Sequence, residues 1–202
     1  MLGEMNPPRI KSGQIRQRGR GLTLVELMVT VAITAVLMAA AIPSMREMIA
    51  KRRVVGVTND LVTDLRYLRS VGIQNNTMVE LDFGSNQAST CYMLSTTRGS
   101  FLPSSCDCTN PASCNGVGPV PTAFKTVSLP RSDGVTLSSN ASPIQFVGLS
   151  AMPCLTNWCG AATISVTISS SLGGTTKVWT NANGRAFACS VSGQQSNFPA
   201  CL

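Results

Sequence analysis

Gly21-Leu22-Thr23-Leu24-Val25-Glu26, followed by the apolar run Leu27 to Ile42, is the stretch on which the reading of the fold turns. At about 1.5 Å of rise per residue, Leu22 to Ile42 is long enough to cross the hydrocarbon core of a bilayer as one helix. Only one side chain in that span is ionisable, Glu26. A carboxylate inside such a run is costly to desolvate, so Glu26 is a candidate functional residue from the outset.

Upstream, residues 1–21 are polar and rich in Gly, Pro, Ser and Gln, with Arg9, Lys11, Arg16, Arg18 and Arg20 set against Glu4. They have the composition of a targeting segment, and basic residues beside an apolar span stay on the cytoplasmic side. The chain beyond Ile42 is therefore expected outside the cytoplasm. A conventional secretory signal is the competing reading, because Ala39-Ala40-Ala41 offers a small-residue cleavage site. Such signals have a shorter apolar core and no use for a carboxylate at its start.

The order Gly21-Leu22-Thr23-Leu24-Val25-Glu26 after a short basic leader resembles the processing site of type IV pilins and type II secretion pseudopilins. That site has Gly, usually Phe, then Thr-Leu-Ile-Glu; here Leu22 and Val25 are mild departures. The resemblance implies a prepilin peptidase that cuts after Gly21 and methylates the new amine on Leu22, with Glu26 as the fifth residue of the mature chain. It also implies partners: other pilins or pseudopilins packed through the N-terminal helix. The chemistry is coherent on its own terms. A cut on the cytoplasmic side removes the leader, keeps the span, and creates an ammonium close to the Glu26 level. Pairing those two charges between neighbouring subunits relieves the cost of each in hydrocarbon.

The second half of the helix is read from Val54, Val57, Leu61, Leu65 and Leu68, an apolar stripe at three- and four-residue spacing. Pro43 is expected to kink the helix as it leaves the membrane rather than end it. Arg46, Lys51, Arg52 and Arg53 lie just past the exit and suit headgroup contact. Asp60, Asp64, Arg66 and Arg69 read as a solvated face, and Gln74-Asn75-Asn76 as the helix end. The division expected is a leader over 1–21, a helix over 22–75 (22–42 in the membrane, 43–75 amphipathic), and a β-rich domain over 77–202.

Beyond Thr77, short runs of strand character appear over 78–83, 89–95, 123–129, 135–138, 144–147, 163–169, 175–180 and 185–191. Turns are expected at Gly173-Gly174 and Asn183-Gly184. The fold class is α+β: a long helix packed on one or two antiparallel sheets, pilin-like. All eight cysteines (Cys91, Cys106, Cys108, Cys114, Cys154, Cys159, Cys189 and Cys201) follow the apolar span, which fits disulfides in an oxidising compartment. Eight cysteines allow on the order of a hundred pairings, and only Cys154–Cys159 and Cys189–Cys201 are suggested by proximity. Residues 99–121 read as an irregular, disulfide-held loop. Ile144 to Gly148, with Val178-Trp179-Thr180 and Gly184-Arg185 later, resembles the C-terminal half of the GspH/FimT family of minor pilins and pseudopilins.

The net charge of +7 resides mostly in the leader and the helix. From residue 75 onward five basic residues face four acidic ones, which gives no bulk signature of a nucleic-acid binder. The chain has no histidine, which removes Ser/His/Asp and Cys/His chemistry, and no phosphate-cradling fingerprint. Glu80 and Asp82 share one strand face and read as solvated. No enzyme, metal or cofactor is expected. DNA binding is the alternative function, by resemblance to FimT-like minor pilins with a Gly-Arg-x-Arg motif. Gly184-Arg185-Ala186-Phe187 keeps the first arginine and replaces the second, leaving Lys177 as the other candidate cation. The main expectation is a minor pilin or pseudopilin in the bacterial inner membrane, its C-terminal domain periplasmic, that later joins a pilus or pseudopilus.

Overall fold

A computed structural model describes residues 23–97, 106–110, 114, 122–148, 152–155, 158–159, 163–191 and 197–201. The chain divides into two units, Met1–Ala41 and Ile42–Leu202. One helix, α1 (Leu24–Asn75), contributes to both. It begins at a cap that the sequence reading did not single out: Thr23 Oγ1 accepts the Glu26 N–H at 3.2 Å, and Thr23 O accepts Leu27 N at 3.1 Å. Pro43 lies inside the helix and does not end it. The end comes at Asn76, whose φ of 47° is the left-handed conformation common after a helix.

Ten strands follow among the described residues: β1 (Met78–Ser85), β2 (Ser89–Thr97), β3 (Thr122–Pro130), β4 (Val135–Ser139), β5 (Ile144–Phe146), β6 (Pro153–Leu155), β7 (Trp158–Cys159), β8 (Ile164–Ser170), β9 (Gly174–Thr180) and β10 (Ala186–Ser190). They form two antiparallel sheets, ordered β3-β2-β1-β5-β6-β7 and β10-β9-β8-β4. The fold is α+β, a long helix on antiparallel sheets. The β8–β9 turn, 171–173, takes in Gly173 and leaves Gly174 as the first residue of β9, and the β9–β10 turn, 181–185, encloses Asn183-Gly184. Strands β6 and β7 are additions to the sequence reading: two or three residues each, one opening on Pro153, they are too short to show alternation.

One core joins the helix to both sheets. Val54, Leu61, Leu65 and Leu68 meet Val79, Leu81, Tyr92 and Leu94 of the larger sheet and Ile164, Val166, Ile168 and Val178 of the smaller. Each large aliphatic side chain buried this way contributes roughly 2 kcal/mol. The alternation of β8, with Ile164, Val166 and Ile168 inward, is what assigns that strand its face.

Two polar expectations are corrected. Glu80 and Asp82 are buried, not solvated. Their face of the larger sheet lies beneath a second cluster of Cys91, Met93, Cys106, Cys108 and Cys114, tied by the disulfides Cys91–Cys108 and Cys106–Cys114. A Cβ at Gly84 would come within 2.8 Å of the Cys108 sulfur, so only glycine lets this cover approach the strand. Beneath it Gln145 Nε2 donates to Glu80 Oε2 at 3.1 Å. Asp64 is also buried: Lys125 Nζ reaches its two carboxylate oxygens at 2.5 and 2.7 Å, and the Tyr92 hydroxyl donates to Oδ2 at 2.8 Å. Of the basic set past the membrane exit, Arg53 Nη1 donates to Asp133 of the β-domain and Lys51 pairs with Glu47. Cys189–Cys201 fastens the C-terminal segment to β10. The hairpin register sets Cys154, itself disulfide-bonded, opposite Cys159.

Candidate functional site

The first functional segment is the N-terminal part of α1. Every described residue from Thr23 to Ala41 is exposed, including Leu24, Val29, Val36 and Leu37. By length and composition this is a helix able to cross a membrane. Its hydroxyls are already satisfied within the helix: Thr30 Oγ1 donates to Leu27 O, and Thr34 Oγ1 bonds Thr30 O and Val31 O, all at 2.9 Å. They add no unmet polar group to an apolar surrounding. Glu26 is then the single ionisable group between Thr23 and Ile42. It stands in the first helical turn, where the exposed N–H groups of the helix end favour a negative charge. The processing residues Gly21 and Leu22 lie outside the described residues.

Among the clefts formed by described residues of the second unit, two involve candidate site residues. One, of about 420 Å³, is lined by Arg66, Arg69, Ser70 and Ile73 of α1 and by Gly184 to Phe187 at the β9–β10 turn. The turn is built by Asn181, whose Oδ1 accepts Arg185 N at 2.9 Å and Asn183 N at 3.1 Å. Three arginines thus line one cleft, and among the described residues no Asp or Glu lines it. Arg69 Nε is buried and has no hydrogen-bond partner among the described residues. Arg66 and Arg69 were expected on a merely solvated face; no signal in the helix sequence told that a turn more than a hundred residues later would meet them.

Lys177 lies elsewhere. It lines a mostly apolar groove of about 520 Å³ with Trp179, Phe187, Pro199 and Ala200 on the outer face of the smaller sheet. Trp179 and Phe187 stack there, ring centroids 4.8 Å apart. The register explains the placement: Lys177 and Trp179 alternate with the inward Thr176, Val178 and Thr180, and Trp179 faces Phe187 across the strands. Arg185 and Lys177 therefore line different clefts, with Phe187 bordering both.

Tyr92 and Asp64 serve the core. Burial, and then the bond to Asp64, push the Tyr92 hydroxyl well above the ordinary phenol range, so it remains a proton donor to that carboxylate. Among the described residues no group of three His, Cys, Asp or Glu side chains is arranged to hold a metal.

Residues 16–42 match the model of the prokaryotic N-terminal methylation motif. No curated protein and no solved structure matches the chain. The motif supports the pilin and pseudopilin class in general and, with it, a structural role, and the helix it reaches into is long and apolar enough to cross a membrane.

Proposed function

We propose that the chain is a minor pilin or minor pseudopilin, a structural subunit held in the inner membrane with its β-domain in the periplasm until it enters a filament or its tip complex. The observation that carries this is the exposed apolar helix with Glu26 in its first turn, inside the methylation-motif match. Cleavage after Gly21 by a prepilin peptidase, with methylation of Leu22, places an ammonium at the positive end of the helix dipole. That like-signed charge is relieved by the Glu26 carboxylate of a neighbouring subunit. Pro43 provides a bend where the chain leaves the bilayer. The disulfide-bonded segment and the Gly184-Arg185 turn support the GspH/FimT type and the type IV pilus side over type II secretion. Glu26→Ala tests the role: processing should persist while incorporation into filaments falls. Normal incorporation would refute it.

A second reading, DNA binding in natural transformation, is favoured by the three arginines of the Arg185 cleft. Lys177 has no part in that cleft, so the contact set becomes Arg66, Arg69 and Arg185. Neutralising Arg69 and Arg185 together should weaken binding to DNA and lower its salt slope by about two; an unchanged slope contradicts this reading.

A further inference from the structure

The membrane-proximal end of the β-domain carries a feature that assembly through the helix does not use. Strand β9 runs alongside α1 in the same direction. Gly173 lies against Ala50, so close that an added Cβ would be 2.6 Å from the Ala50 carbonyl oxygen. Further along, the Thr176 and Thr58 hydroxyls are 2.6 Å apart, and Arg185 lines a cleft with Arg66 and Arg69. The β8–β9 turn is therefore the end of the hairpin nearest Ile42, and the glycine contact fixes it there. At that turn Leu172 is 55% exposed. Met45, Met48 and Ile49 of α1 are exposed as well. Arg46, Arg52 and Arg131 are exposed around the same end, and Arg131 borders a depression shared with Ser170 and Ser171.

A lone exposed leucine is ordinary. A leucine at a turn packed on Ala50, beside cations and the exposed Met48 and Ile49, has the composition of a membrane-surface contact. We infer that the Leu172 turn rests on the headgroup layer of an anionic bilayer and orients the β-domain before assembly. This rests on the membrane-anchored reading above. Ala50 is eight residues past Ile42, about 12 Å of helix rise, whereas the headgroup layer adds roughly 5–8 Å per leaflet. A tilt of about 20° toward the hairpin shortens that rise to about 11 Å and lowers a tip set roughly 10 Å to one side of the helix axis by about 3 Å more, to the outer edge of the headgroup layer. The contact is interfacial, with Leu172 among headgroups and the arginines on lipid phosphates.

The test uses the full chain in vesicles of phosphatidylethanolamine and phosphatidylglycerol with a nitroxide quencher on the lipid headgroup. Leu172→Trp is compared with Thr126→Trp, an exposed position on β3 next to Lys125 and so near Asp64, farther along the helix. Among vesicle-bound molecules the added Trp at 172 should be quenched roughly two-fold more than that at 126. Replacing phosphatidylglycerol with phosphatidylcholine should shrink the excess. Equal quenching at the two positions in protein that floats with vesicles would overturn the inference and leave the anchor intact. Protein that does not float would overturn both. An excess that vanishes when the protein-to-lipid ratio is lowered about tenfold would assign the tip to a second copy of the chain and overturn the lipid contact.

Discussion

The two halves of α1 are one helix built for two surroundings. From Leu24 to Ala41 no side chain is buried, and apolar residues occupy every side of the helix. From Val54 to Gly72 a single stripe is buried, with Asp60, Arg66 and Tyr67 left outside. A helix with one apolar stripe finds its cover within its own domain. One that is apolar all round needs cover from outside the monomer, from lipid or from other helices. The difference between the halves says where the chain ends and its partners begin. Stability of the β-domain should depend on the second half, and membrane retention and assembly on the first.

Substitutions that separate these dependences follow from that contrast. The largest effect on folding is expected from Leu68→Ala, which empties a fully buried position in the shared core. It should lower unfolding free energy by about 3 kcal/mol in denaturant titration of the full chain in detergent. Asp64→Ala comes next, at roughly 2–3 kcal/mol, because it strands the Tyr92 hydroxyl and removes the partner of Lys125. Water still reaches the lysine, which keeps the loss below that of a fully enclosed pair. Tyr92→Phe should cost about 1 kcal/mol near neutral pH, with a distinctive pH dependence. The folded phenol titrates above its unfolded value of about 10, so its contribution is complete below that pH and declines as pH rises above it. The variant should accordingly show a flatter alkaline limb than the parent chain. Smallest on this scale is Val36→Ala, within about 0.5 kcal/mol for the β-domain, although Val36 is as apolar as the core residues. A loss comparable to that of Leu68→Ala would erase the proposed distinction between the halves.

Local patterns carried much of this architecture. The stripe from Val54 to Leu68 and the alternation Ile164-Ser165-Val166-Thr167-Ile168 each rest on neighbours within a few residues. Distant pairings were not legible. Asp64 borders the apolar stripe, but its fate depends on Lys125, sixty-one positions away. Glu80 and Asp82 alternate as a solvated strand face would, and the Cys91–Cys108 clip that covers their side joins segments no periodicity relates. The same limit hid the meeting of Arg66 and Arg69 with Arg185, and it suggested Lys177 as that residue's companion when strand register sends it to another groove.

The central claim is that the apolar half is retained, freed of its leader, and offered to other subunits. Intact mass and N-terminal peptide analysis of the protein purified from membranes tests it most directly. The expected chain begins at an N-methylated Leu22 and still contains residues 22–42. A mature chain beginning at Ile42, with the apolar helix removed, would contradict the account.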